Sequence, residues 1–322
     1  MQTILVIKLG ALGDFILADP AFQWIRNHHK ESKLVLLTTP LFEAFAKKQG
    51  YFDEIIALPR FKYTDIVRWK LFLDHLVRLQ PVRIYDLQMV KRTRIYAYFI
   101  RFMHMMGLLK KSEWIGRIKS GHAYLEPSYF KKHPLERFSR LFSKVSNDPF
   151  PSLDMRRMGE ELPSMPRHPY ALVIPSASNA FNGAKKWPLE AYRHVVQWIL
   201  AKGYSVVIIG GPHDDHRILS MEGGQDNQTV IDLTGKTSFE NVIALASKAT
   251  FAVGNDTGPI HMAAASQCPV FVLFSKKAPP AAQVGARGIL YHHLSSDDLS
   301  TLKSHDVIPE LEGFLEKVNL LT

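Results

Sequence analysis

Residues 254–265, GNDTGPIHMAAA, lie between two apolar runs, TFAVG (250–254) and PVFVLF (269–274). A turn between strands needs a glycine and at most a proline. An acid, a threonine and a histidine in the same few positions ask for a ligand. A helix starting near Gly258 or Pro259 would leave free amides at its first turn, and free amides with the helix dipole attract anions. Thr257 could add a hydroxyl donor, and His261, one turn further on, an imidazole donor. Asp256 is awkward beside a phosphate and better suited to orienting the loop or capping the helix. The bland alternative is a well-capped helix with a satisfied histidine.

Three more stretches carry polar groups at strand ends. In PSASNAFNGAKKWPLEAY (175–192), Lys185 and Lys186 precede Trp187-Pro188, and a proline fixes a helix start. IIGGPHDDHR (208–217) offers glycines for close backbone approach and Asp214 or Asp215 for a ribose hydroxyl. KLGALGDFIL (8–17) places Gly10 and Gly13 in a tight strand-to-helix turn, but not at the GxGxxG spacing. Asp14 occupies the helix start, where its carboxylate would repel a pyrophosphate, and this disfavours an NAD-dependent oxidoreductase. Asp14 suits either an N-cap or a base that takes a proton from an acceptor hydroxyl. No DxD-like acidic pair lies in a matching loop, so the reading needs no metal and no cofactor. His292-His293 with Asp297-Asp298 reads as a surface turn.

The elements that must position these residues alternate short β-branched runs with helical patterns, which predicts an α/β chain with parallel sheets. Strands are expected at 3–8, 33–38, 54–58, 82–87 and 113–118, then at 170–175, 204–210, 229–233, 250–254 and 269–274. Helices are expected between them, one of them continuous over DFILADPAFQWIRNHH (14–29). Residues 146–169, rich in proline and polar groups, read as a linker. The expectation is two α/β domains of similar size, 1–150 and 151–322, facing one another across a cleft. The last helical segment could pack on either.

The chain has 322 residues, 46% hydrophobic, with a net charge of +10. Such a surplus favours a polyanionic partner or simply a soluble surface. One cysteine, Cys268, excludes an internal disulfide, and the first residues lack the apolar region of a signal peptide. With no run near the roughly 20 apolar residues of a membrane span, a cytoplasmic protein is expected. Residues 91–119 carry eight Lys or Arg against one Glu, mixed with aromatics and methionines. Arg94, Tyr98 and Arg101 fall on one helical face, which could hold a phosphorylated glycolipid and meet an anionic leaflet at the inner face of the membrane. Equally, Phe99, Phe102 and Met106 could be core, with the arginines solvated.

Taken together, KLGALGD, GAKKWPLEAY, GYSVVIIGGPHDD and VGNDTGPIHMAAASQCPVFVLF resemble glycosyltransferase family 9, the bacterial heptosyltransferases of lipopolysaccharide core assembly. DTGPIHMAA (256–264) is the most specific part. The resemblance implies a GT-B fold of two Rossmann-like domains, with the acceptor on the first domain and the nucleotide sugar, ADP-heptose for this family, on the second. It implies Asp14 as catalytic base. Asp256, Thr257, Gly258 and His261 would form the diphosphate loop, with Lys185, or Lys186 in its place, near the donor phosphates. Gly10, Gly13, Arg94 and Arg101 are the acceptor-side candidates. The chain departs from the family at FSKKAPPAAQ (274–283), where a small-residue turn of the type FGPT is usual, and this bears on the donor sugar and its base. A sugar-nucleotide epimerase would use a similar phosphate site without an acceptor surface. A basic protein that binds membrane or nucleic acid would explain the charge but not the DTGPIH loop, and nucleic acid is not an expected partner.

Overall fold

The structure, a computed structural model, describes all residues except 63, 120, 168, 179, 221–228 and 322. It divides into two compact units, Met1–Ser152 and Leu153–Thr322.

In chain order the first unit comprises β1 (Thr3–Ile7), α1 (Leu12–Ile16), α2 (Asp19–His28), β2 (Lys33–Thr38), α3 (Pro40–Gln49), β3 (Glu54–Ala57), α4 (Ile66–Leu79), β4 (Arg83–Asp86), α5 (Lys91–Met105), β5 (Glu113–Gly116), β6 (Ala123–Tyr124) and α6 (Pro134–Phe142). All six strands run parallel in the order β3-β2-β1-β4-β5-β6. The central strands are continuous apolar runs because helices cover both faces. Leu5, Ile7, Val35 and Ile84 meet Trp69 and Phe72 of α4 and Tyr96 and Ile100 of α5 on one face. On the other, Phe15 stacks on Phe42 at 4.4 Å and Trp24 on Phe142 at 4.5 Å.

The second unit comprises β7 (Tyr170–Ile174), α7 (Leu189–Ala201), β8 (Ser205–Ile208), α8 (Arg217–Ser220), β9 (Val230–Asp232), α9 (Phe239–Lys248), β10 (Phe251–Asn255), α10 (Gly258–Ala265), β11 (Val270–Ser275), α11 (Ala281–Val284), β12 (Tyr291–Ser296) and α12 (Ser304–Asn319). Its parallel order, β12-β11-β10-β7-β8-β9, repeats that of the first unit read in chain order. In both, the order reverses beside the first strand, and in open α/β sheets such a switch point is where the loops at the carboxyl ends part and a ligand can enter.

Several expectations change. The helix expected over 14–29 breaks at Leu17-Ala18, because Pro20 has no N–H to donate to Ile16 O and its ring crowds that carbonyl, while its fixed φ suits the first turn of a new helix. His292 and His293 are not in a turn but on β12, paired in register with Phe271 and Val272. The last helix belongs to the second unit: Val307, Leu311, Phe314 and Val318 lie in its core with Phe251 and Phe271. The later part of the supposed linker is packed structure. Met155 is fully buried and its amide donates to Ala265 O at 2.8 Å, while Asn241 Nδ2 donates to Glu160 O at 2.7 Å. Its scattered apolar residues cover α9 and α10 without any period to announce them.

Candidate functional site

At the switch point of the second unit, β10 and β7 lie side by side. Gly254 is required there, since a Cβ would stand 2.6 Å from Ile174 O and 2.8 Å from Ile174 Cβ. Asn255 Nδ2 donates to Pro175 O at 2.7 Å and ties the two strand ends together. Asp256 follows immediately and is buried. Lys185, carried by the loop between β7 and α7, donates to Asp256 Oδ2, and His261 Nε2 lies 3.5 Å from Oδ1. Burial pushes the Asp256 carboxyl up. The hydrogen bond and charge of His261, together with those of Lys185, more than offset this and hold it below the usual carboxylate value.

Thr257 is the N-cap of α10, yet its side chain makes no cap hydrogen bond, and Pro259 opens the helix without a donor of its own. Among the described residues the Thr257 hydroxyl makes no cap bond, and the amide of Gly258 at the first helical turn has no intrahelical acceptor, so both are open to a ligand. Among the described residues, His261 Nδ1 is buried without a hydrogen-bond partner. Lys185, Asp256, Thr257, Gly258 and His261 therefore meet in one place. The neighbouring Lys186 is exposed, with Lys185 the one directed at Asp256. Asp214 and Asp215 already have protein partners: Asp214 Oδ2 accepts from Ser176 Oγ at 2.6 Å and from Gly211 N at 2.7 Å, and Asp215 pairs with Arg217 at 2.7 Å.

The first unit places Asp14 in α1, after β1. Asp14 is not the N-cap, which is Ala11, and the helix has no side-chain cap. The capping role is thereby removed as a reason for the aspartate. Gly10 has a φ of +95°, and a Cβ on it would stand 2.6 Å from the Phe42 ring. Gly13 lies inside α1.

Around Asp14 the structure gathers residues that sequence reasoning missed. Lys8 is buried, donates to Leu87 O at 3.3 Å and has its pKa depressed by burial, with the charges of Asp14 and Asp86 opposing the shift. Asp86, at the end of β4, accepts from Met89 N at 2.8 Å, while its Oδ2 is buried without a partner among the described residues. Burial raises it to about 6 against these hydrogen bonds and the charge of Lys8. Arg137 from α6 feels both Asp14 and Arg117, and among the described residues its Nε has no hydrogen-bond partner. Arg60 donates to Leu9 O at 3.1 Å. The available signal was positional: Lys8 and Asp86 both sit where a central strand ends.

Arg94, in the first turn of α5, is close enough to lower the pKa of Arg117 and belongs beside this cluster. Arg101 does not. Two turns on, it lines a cavity of about 1020 Å³ with Gln2, Val82, Glu113 and His122, at the amino ends of β1, β4 and β5. Helical spacing put the two arginines on one face, but α5 runs the length of the sheet and carries them to opposite ends. Phe99, Phe102 and Met106 are exposed, so the core alternative for them fails.

The profile of glycosyltransferase family 9 (heptosyltransferase) matches residues 83–297, more than half of the chain. The chain belongs to this family. It is a glycosyltransferase. The matched span includes Lys185 and the Asp256–His261 loop but begins after Asp14. No curated protein sequence matches the chain. Among solved structures, a family 9 glycosyl transferase from Veillonella parvula superposes with a TM-score of 0.73 at 16% identity, covering 98% of this chain and 97% of that one. The Escherichia coli ADP-heptose lipopolysaccharide heptosyltransferase II gives 0.70 at 17%, over 98% and 99%. The Escherichia coli heptosyltransferase WaaC with ADP gives 0.70 at 18%, over 97% and 100%. At such identities the likeness is one of fold, the GT-B fold of two parallel α/β units. Among the described residues no three His, Cys, Asp or Glu side chains converge as metal ligands, and no helix is long and apolar enough to cross a membrane.

Proposed function

We propose that this family 9 enzyme transfers a heptose or related sugar, with inversion, from a nucleoside diphosphate sugar to a phosphorylated glycolipid of the lipopolysaccharide core or a similar envelope glycan. ADP-heptose is the donor that family membership favours. The observation that carries the reading is the Lys185–Asp256–His261 group beneath the first turn of α10. Lys185 commits one of its three N–H bonds to Asp256 and keeps two for a phosphate, the Thr257 hydroxyl and the Gly258 amide are unspent, and Asp256 holds both Lys185 and His261 in place. These donors oppose the charge that grows on the leaving diphosphate as the glycosidic bond breaks. No metal is part of this mechanism.

Asp14 acts as the base that takes the proton of the acceptor hydroxyl as it attacks the anomeric carbon. Lys8 and Arg137 act on that carboxylate with their charge, and Arg60, bound to Leu9 O, and Arg117, with Arg94 beside it, add positive charge at the same end of the sheet, suited to an acceptor bearing phosphates or carboxylates. The enzyme works in the cytoplasm in peripheral contact with the anionic inner face of the membrane, where such an acceptor is anchored, and needs no nucleic acid.

Calorimetric titration with ADP, UDP, GDP and NAD tests the donor site. One nucleoside diphosphate, ADP first, is expected to bind at about micromolar Kd and to lose on the order of tenfold or more in affinity in His261→Ala. Equal binding of all four, or no effect of the substitution, would reject the site.

A further inference from the structure

The first unit holds 25 of the 40 basic and 13 of the 30 acidic side chains, a net of +12, while the second holds 15 and 17, a net of −2. The positive surplus therefore lies entirely in the first unit, although the nucleotide loop lies in the second.

The same unit carries an unusual apolar surface. Of the 18 exposed large apolar residues among those described, 11 fall between Ile66 and Leu108. Scattered single residues of this kind need no explanation, but a cluster does. Helix α5 has two apolar stripes. Thr93, Tyr96, Ile100 and Met103 are buried against the sheet. Roughly opposite, Tyr98, Phe99, Phe102, Met105 and Met106 follow one another at helical spacing, with Tyr98 64% and Met105 78% exposed. Phe99 packs on Trp69 of α4 at 4.6 Å, and α4 adds Ile66, 80% exposed, and Val67. Cations flank the stripe. Lys91, Arg94, Arg101, Lys110 and Lys111 make no ion pair among the described residues, whereas Arg26, Lys33, Arg78 and Arg83 elsewhere in the unit are all paired with carboxylates.

We propose that this outer face of α5, continued by α4, docks on an anionic lipid leaflet, with the aromatic and methionine side chains entering the acyl boundary and the unpaired cations meeting the headgroups. The proposal gives a surface to the membrane contact of the proposed function and rests on that reading only for why the enzyme should go to a membrane. An apolar stripe edged by uncompensated positive charge fits an anionic interface. A second copy fits poorly, because a two-fold contact would set these cations against their own counterparts. Docking here also suits an anchored acceptor, since α5 starts at the Asp86 end of β4, where Arg94 adjoins the Asp14 cluster.

Flotation with vesicles of phosphatidylcholine alone and of phosphatidylcholine with phosphatidylglycerol tests it directly. The protein is expected to bind the anionic vesicles at least about tenfold more strongly than the neutral ones. Phe102→Glu with Met105→Glu, and separately Lys110→Glu with Lys111→Glu, should each lower that partition by about tenfold or more while leaving the thermal unfolding midpoint and the ADP titration unchanged. Equal partition into both vesicle types, wild-type partition of either double variant, or sedimentation showing a dimer that the first double variant dissolves would each overturn the proposal. None of these outcomes touches the nucleotide site, so a failed docking surface and a failed donor site are told apart.

Discussion

Asp14 follows a buried strand, caps nothing and feels the charges of Lys8 and Arg137, so its removal should be felt in chemistry rather than in folding. Asp14→Asn is expected to lower kcat by about 10²–10⁴ while leaving the Kd for the nucleoside diphosphate within about twofold. Wild-type turnover in this variant would end its assignment as base. Asp86 makes a different prediction. Its carboxyl rises from 3.8 to about 6 on folding, so the native state binds the proton more tightly than the unfolded chain. Its favourable contribution is present below pH 4 and declines as pH rises through about 6, by about 3 kcal/mol in all. Asp86→Asn keeps the shape but cannot ionise. The stability difference between wild type and variant, followed by denaturant unfolding from pH 4 to pH 7, should therefore move against the wild type; a flat difference would show that Asp86 does not titrate there.

At the scale of elements, α10 joins the loop assigned here to the nucleotide to a helix that packs. Its buried side chains hold it against the sheet, while the Thr257 hydroxyl makes no cap bond. Thr257→Val should therefore change stability by less than about 0.5 kcal/mol yet weaken nucleoside diphosphate binding by about tenfold, the worth of one hydrogen bond to a charged group. A loss of stability without a loss of affinity would return Thr257 to a structural role. This loop was legible in the sequence because acid, threonine, glycine and histidine all lie within six residues between two strands. The ten expected strands were legible too, as short runs rich in β-branched, aliphatic and aromatic residues. The short β6 and the His-rich β12 were not, since β12 is half exposed at a sheet edge and shows no apolar run. Lys8, Asp86, Arg117 and Arg137 escaped for a related reason: they come from four elements, and only the strand order brings them to one switch point. Arg101 was misplaced because helical periodicity reports the face of a helix but not the position along its axis.

The molecule carries two cores, and each can be weakened alone. Phe72 is buried against Trp69 and Tyr96 in the first unit, and Phe314 against Phe251 and Phe271 in the second. Truncating either to alanine should cost about 3–5 kcal/mol. A nucleoside diphosphate that binds the loop after β10 stabilises only what must be folded to form that loop, by about 2.7 kcal/mol at a hundredfold excess over Kd. In scanning calorimetry, ligand should therefore recover most of the lowered transition of Phe314→Ala and leave the lowered transition of Phe72→Ala where it is. Equal recovery of both would mean that the first unit also takes part in nucleotide binding, or that the two cores unfold as one. The first would require the donor site to extend beyond Lys185, Asp256, Thr257 and His261, whereas the second would leave the site as it is and make the two units one cooperative unit.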